Sequence, residues 1–285
     1  MAKLHNKILP YLLIFPQLLI LLLFLVLPIA LIAVVSFWQF NGYSMTAAFS
    51  PDNYLSIFTS RVYRDTYLNT FKFVGLVWGF CLLLAYPVAY FLAFHIKSFK
   101  VQLICFVLCT IPFFTSNIIR MISWLPLLGR EGLVNGFLLK IGAIEQPLEQ
   151  LLFSDFAVVL ALVHLYVLFM VVPIFNSLVR IEPNLIAAAK DLGASGGEVL
   201  RDIILPLSRP GIAIGSIFVV TLVMGEFITV RWMGGGQASS VGYLISNQIG
   251  SLQYPLASAN AMILLAVTIM FVAGILRLVD IRKQL

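Results

Sequence analysis

The sequence predicts an all-α membrane protein with six transmembrane helices. Three observations carry that expectation. Hydrophobic residues make up 61% of the 285 positions and charged residues only 11%, with a mean hydropathy of +1.03, whereas a soluble domain carries about 25% charged residues. Apolar runs fall at about 9–38, 67–94, 102–128, 156–178, 210–233 and 256–279, each long enough for the roughly 20 residues that cross a bilayer. The basic residues are distributed unevenly between the connecting segments.

That distribution sets the orientation. With the N-terminus inside, segments 1–8, 95–101, 179–209 and 277–285 hold eleven Lys and Arg: Lys3, Lys7, Lys97, Lys100, Arg180, Lys190, Arg201, Arg209, Arg277, Arg282 and Lys283. The outside segments hold four, Arg61, Arg64, Arg130 and Lys140. The bias places both termini in the cytoplasm of an inner-membrane protein. The net charge of +6 is then read as positive-inside bias, and no nucleic-acid partner is expected.

The first run follows a short basic N-terminus and is too long for the 7–15-residue apolar core of a cleavable signal, so it reads as a retained helix. Segment 39–66 is a long polar outside loop with turn signals at Asn41-Gly42 and Ser50-Pro51. The third run contains Pro112, Pro126 and Arg120 and is expected to be broken. Segment 129–154 holds a short amphipathic helix, Leu133 to Ile141. Cys81, Cys105 and Cys109 all lie in apolar runs and read as small buried hydrophobes.

The chemistry of catalysis is missing. Gly-x-x-x-x-Gly-Lys-[Ser/Thr] does not occur, so no phosphate-cradling loop of that type exists. His5, His95 and His164 are too scattered to suggest a metal site, and no nucleophile–base pair is indicated. We expect no covalent chemistry in this chain.

Segment 179–209 is the longest inside loop. A first helix starts at Pro183 and stops at Gly193, with Leu185, Ala188, Ala189 and Leu192 on one face. A second opens with Ser195-Gly196-Gly197-Glu198, a capping-box pattern, and is expected to end at Pro206 and Pro210. Such a helix pair suits docking in a partner's groove or resting on lipid headgroups.

The loop resembles the EAA motif of type I ABC importer permeases: Glu-Ala-Ala, three residues, Gly, nine residues, Ile-x-Leu-Pro. Here Ala187, Ala188 and Ala189 precede Gly193 with the right gap, and Ile203-Ile204-Leu205-Pro206 follow nine residues later. Ala187 replaces the Glu, which removes any contact that a carboxylate there would make. Ile111 to Arg120, Pro206 to Gly211, Gly225-Glu226-Phe227 and Asn53-Tyr54 are similar to the spermidine/putrescine branch of that family.

The resemblance implies a first helix and periplasmic loop (1–66), a transmembrane core (67–275) and a cytoplasmic tail (276–285). It implies a coupling helix, with Ala187, Ala188, Ala189, Asp191, Gly193, Ile203, Leu205 and Pro206 meeting a cytosolic ABC ATPase dimer. It also implies a second homologous permease, a periplasmic substrate-binding protein and transport by alternating access. No cofactor is expected in this chain; ATP and Mg would be bound by the ATPase.

Charged residues inside a membrane are functional candidates because they are costly unpaired. Arg120 in the third span and Glu226 in the fifth qualify. A carboxylate at Glu226 suits a cationic amine; a structural pair with Arg120 or Arg231 is the alternative. Phe113, Trp124 and Tyr166 supply aromatic faces for an ammonium group, or interfacial belts and lipid-facing filler, and Asn117 lies beside them in the similar segment. A polyamine or similar small organic cation is the leading substrate class. Ferric iron, thiamine, phosphonate and opine importers share the motif. An ion-coupled secondary transporter using Glu226 would leave the coupling loop unexplained, and a membrane anchor for another protein would not need Glu226 and Arg120 within the membrane.

Overall fold

The computed structural model describes residues 14–96 and 98–278. Of the cations expected on the inner face, Lys3, Lys7, Lys97, Arg282 and Lys283 lie outside these residues, as does His5. In chain order the helices are α1 (Ile14–Val35), α2 (Asp52–Thr59), α3 (Arg61–Phe94), α4 (Phe99–Thr110), α5 (Asn117–Ile122), α6 (Leu133–Lys140), α7 (Asp155–Val179), α8 (Pro183–Asp191), α9 (Gly196–Met224), α10 (Ile228–Gly234), α11 (Val241–Gly250) and α12 (Tyr254–Leu278). A two-stranded hairpin, Gln39–Phe40 against Met45–Thr46, precedes α2.

Among the described residues, α1, α3, α7, α9 and α12 are long and apolar enough to cross a membrane. Phe99–Phe114 and Asn117–Lys140 form a pair bent by 92°. Counted as one broken span, they bring the number to six. The break falls in the third apolar run, where Pro112 opens a 3₁₀ turn, Ile111–Phe114. The second span starts at Arg61 rather than 67, because the polar residues ahead of the run continue its helix.

The chain divides into two compact units, Met1–Arg64 with Ile245–Leu265, and Asp65–Leu244 with Ala266–Leu285. In the first, α1 buries none of its apolar window and has no polar face, so its solvent is lipid. The chain leaving α1 is clamped to α2. Asn53 Nδ2 donates to Ser36 O and Trp38 O, both at 2.8 Å, and the Ser36 and Tyr54 hydroxyls are 2.7 Å apart. The fully buried Asn260 donates from Nδ2 to Gln248 Oε1 at 3.2 Å.

The second unit is built on α7 packed against α9. Ser154 caps α7 by accepting from the Ala157 N–H at 3.2 Å, and Asp155 lies in its first turn. Leu162, Leu165, Met170, Ile174 and Leu178 of α7 are fully buried. They are reached because α9 presents glycine. A Cβ on Gly211 would lie 2.5 Å from Pro173 O and 2.9 Å from Ile174 Cα; one on Gly215 would lie 2.6 Å from Met170 Sδ. Small residues at such crossings let the backbones approach, and dispersion then holds the helices together where lipid removes the hydrophobic drive. Polar pairs fasten α3 to α9: Trp78 Nε1 donates to Ser216 Oγ at 2.8 Å, and the Tyr86 and Ser208 hydroxyls are 3.2 Å apart.

The loop before α9 corrects one expectation. The second loop helix does not end at Pro206 and Pro210. It widens into a π turn at Leu200–Ile204, where the Leu205 N–H reaches back to Leu200 O, and continues to Met224. Proline lacks the N–H for an i−4 bond and its ring crowds that carbonyl. The wider turn accommodates this without breaking the helix. α6 matches the expected amphipathic helix, and the buried Asn135 closes its loop by donating to Gly129 O and Leu148 O and accepting from the Leu148 N–H.

Gly211→Val is expected to cost about 1–3 kcal/mol through overpacking, or roughly 3–10 °C of melting temperature in detergent. Gly79→Ala, where an added Cβ meets open space, is expected to stay within about 0.5 kcal/mol of wild type.

Candidate functional site

The fifth span is not continuous. The sequence places Glu226 deep within it, but α9 ends at Met224, Gly225 caps it, and α10 starts at Ile228. Glu226 therefore stands in a break. Irregular backbone at membrane depth persists only where protein covers it, and α11 supplies the cover. Ser240 Oγ donates to Glu226 O at 3.0 Å. Gly242 admits the break so closely that a Cβ there would lie 2.8 Å from Gly225 O and 2.9 Å from Glu226 O.

The Glu226 carboxylate is held at both oxygens. Oε1 accepts from the Thr229 N–H at 3.0 Å in the first turn of α10. Oε2 accepts a short hydrogen bond from the Tyr166 hydroxyl of α7. Neither Arg120 nor Arg231 forms an ion pair with it among the described residues, and Arg231 is exposed. The carboxylate is only half-buried, so its charge has two hydrogen-bond donors and no cation.

Of the other expected pathway residues, Tyr166 and Phe113 connect to it. Tyr166 stands edge-on to Phe169 with ring centroids 6.1 Å apart; Phe169 meets Phe113 edge-on at 4.7 Å and Phe218 at 6.1 Å. Phe113, Phe169, Tyr166 and Glu226 thus form one chain of contacts. Trp124 Nε1 donates to His164 Nδ1 at 3.0 Å, with the rings edge-on at 5.6 Å.

Arg120 of α5 is 8% exposed. Its Nη2 donates a short hydrogen bond to Asn117 Oδ1, one turn back on the same helix. Its Nε and Nη1 are buried and have no partner among the described residues. A buried guanidinium normally has every N–H satisfied, so these two mark an acceptor that none of the described residues provides.

Sequence reasoning missed Phe169, Phe218, Thr229, Ser240 and the role of His164. Phe169 was within reach, because it lies one turn from Tyr166 on the same helix face. Thr229 and Ser240 became relevant only with the break, and His164 lies 40 residues from Trp124.

α8 ends in a Schellman motif: Gly193 sits at φ +90°, its N–H bonds Lys190 O at 2.9 Å, and the Ala194 N–H bonds Ala189 O at 3.0 Å. The capping box forms as expected, with Ser195 N donating to Glu198 Oε2 at 2.7 Å and Glu198 N to Ser195 Oγ at 3.3 Å. No residue of α8 is buried. Leu192, just past its end, is 90% exposed and Leu185 is 46% exposed.

The sequence profile described as "Binding-protein-dependent transport system inner membrane component" matches residues 82–282. The chain belongs to this family. Permeases of the family that resemble it include the spermidine/putrescine transport system permease protein PotB of Escherichia coli K12, 32% identical over 261 residues, which span 91% of this chain and 92% of that protein. The protein of the same name from Haemophilus influenzae is 30% identical over 241 residues, 84% of this chain and 83% of that one. A chain of a bacterial alginate ABC transporter, solved in complex with alginate pentasaccharide-bound periplasmic protein, has a TM-score of 0.77 over 100% of this chain and 98% of that one, at 18% identity. The fold is accordingly that of a type I importer permease, and this inner-membrane protein is the permease component of a binding-protein-dependent ABC importer.

Tyr166→Phe leaves Glu226 Oε2 without its donor and is expected to lower stability of the purified permease by about 1–3 kcal/mol. Glu226→Gln keeps an acceptor for the Thr229 N–H and is expected to cost less. Thermal melting of the two variants, run side by side, checks the order.

Proposed function

We propose that the chain forms half of the translocation pathway for a polyamine, or a similar small organic cation, in an importer driven by ATP. The observation that carries this reading is Glu226: a half-buried carboxylate in a helix break, hydrogen-bonded by Tyr166 and the Thr229 N–H, with no cation against it among the described residues. An ammonium group meets there a full negative charge beside the aromatic faces of Tyr166, Phe169 and Phe113, which attract cations. The spermidine/putrescine permeases among its relatives support the same substrate class.

The remaining parts follow. Phe113, Asn117, Arg120, Trp124, Tyr166 and Glu226 line one wall, and a second homologous permease supplies the other. Ala187, Ala188, Ala189, Asp191, Gly193, Ile203, Leu205 and Pro206 form the coupling element. The exposed Leu185 and Leu192 suit an apolar groove on a cytosolic ABC ATPase dimer, which binds ATP and Mg and performs the hydrolysis. This chain is a transporter subunit rather than an enzyme. Its basic segments place both termini in the cytoplasm, and segments 39–66 and 129–154 face a periplasmic binding protein.

Arg120 favours one other reading. Its unpartnered Nε and Nη1 suit an anionic group, so a substrate carrying both an amine and a phosphonate would engage Arg120 and Glu226 together.

Uptake of labelled putrescine and spermidine is expected to be lost on gene deletion, and unlabelled amines are expected to compete. Unchanged polyamine uptake, with phosphonate, thiamine or iron transport lost instead, reassigns the substrate. Glu226→Gln is expected to reduce polyamine uptake by about tenfold or more, the size of a lost charged hydrogen bond; normal uptake removes the carboxylate from the pathway. Gly193→Trp forces a bulky residue to φ +90° and is expected to abolish transport-coupled ATP hydrolysis, whereas Gly193→Asn, which tolerates that conformation, retains it. Intact transport in the Trp variant overturns the coupling role.

A further inference from the structure

A second concavity, distinct from the pathway, lies among α3, α9 and α12. It has a volume of about 410 Å³. Its wall is carbon along nearly its whole length: Phe71, Val74 and Gly75 from α3, and Phe271, Ile275 and Leu278 from α12. The α9 wall is the stripe Ile212, Ala213, Ser216 and Val220, which repeats at helical spacing. The polar atoms are accounted for, since Trp78 Nε1 donates to Ser216 Oγ at 2.8 Å. Trp78 therefore shows the groove ring carbon rather than a free N–H.

One charge breaks the pattern. Arg209 lines the same groove at the start of the α9 stripe, where the coupling loop joins the spanning helix. It is exposed and makes no hydrogen bond or ion pair among the described residues. Lys72, toward the other end of α3, is already paired with Asp155 at 2.7 Å. Among the described residues the groove is thus apolar along its length, with one uncompensated cation at one end.

We infer that this groove binds an anionic phospholipid, with its phosphate on Arg209 and an acyl chain along the carbon walls. Basic pockets between membrane helices on the cytoplasmic side bind such headgroups. The phospholipid supplies both halves of the complementarity, anion and hydrocarbon, in one molecule. A neighbouring helix fits less well. A helix is about 10–12 Å across and would lie over the groove rather than in it, and a segment like α1, which contains no Asp or Glu, offers Arg209 no partner. The bound lipid would sit at the hinge between coupling loop and α9. Its side of the membrane rests on the orientation proposed above, but its chemistry is independent of the transported substrate.

The test uses the assembled importer, reconstituted in phosphatidylcholine nanodiscs with added phosphatidylglycerol and released for native mass spectrometry. Wild type is expected to retain phosphatidylglycerol through washes that strip phosphatidylcholine. Arg209→Gln is expected to reduce retention about fivefold, the effect of one basic residue on an anionic headgroup, and Arg209→Lys to restore most of it. Gly75→Leu, placed where an added Cβ meets open space, fills the groove without touching Arg209 and is expected to reduce retention as well. Equal retention in all four proteins overturns the proposal. So does loss with Arg209→Gln alone, which leaves only a surface charge contact. Cross-linking of Ala213→Cys to a helix of the second permease gives the groove a protein occupant and also overturns it. Matching elution profiles on size exclusion show that each variant is assembled.

Discussion

In hydrocarbon no water can replace a missing backbone hydrogen bond, so every interruption of a spanning helix must be covered by protein. The fold is organised around its interruptions. One is the stretch from Gly225 to Phe227, where the Gly225 and Glu226 carbonyls are covered by Ser240 and by the close approach of Gly242. Without that cover the break would be filled by continuous helix, and Glu226 would be one more position on a helix face. The same device appears in the 179–209 loop, where Gly193 and the Ser195–Glu198 box satisfy the groups exposed between α8 and α9.

Close helix packing makes the cover possible. Gly211 and Gly215 bring α9 onto α7, with no space left for even a methyl group. That contact sets the distance between Tyr166 on α7 and Glu226 just past the end of α9. The hydroxyl–carboxylate bond is therefore a product of glycine positions more than ten residues away. The aromatic chain Phe113–Phe169–Phe218 depends on the same crossing, since its members come from the third-span turn, α7 and α9. The 179–209 loop and the break are joined through α9 itself, which begins in that loop and runs to Met224.

The charges divide by how they are satisfied. Glu226 is paired with donors yet keeps its negative charge uncompensated. Arg120 keeps a buried cation with two unmet N–H groups, and Arg209 keeps an exposed one at the end of an apolar groove. None of the three imbalances is met among the described residues. The expected structural pairing of Glu226 with Arg120 or Arg231 does not form.

The sequence by itself determined the solvent, the approximate spans, the 179–209 loop and its caps. These depend on composition, on run length and on local bonding among residues a few positions apart, as at Pro183, Gly193 and Ser195–Glu198. It also flagged Arg120 and Glu226, because intramembrane charge is visible without coordinates. Only the tertiary structure decided that Pro206 and Pro210 stay within a helix, which widens into a π turn at Leu200–Ile204 just ahead of them. It alone showed that the fifth span breaks at Glu226, since the cover comes from Ser240 and Gly242. The partners of Glu226, Trp124 and Phe113 lie 60, 40 and 56 residues away from them in sequence. Contacts of that separation follow from how helices cross, and one chain's periodicity does not encode the crossing.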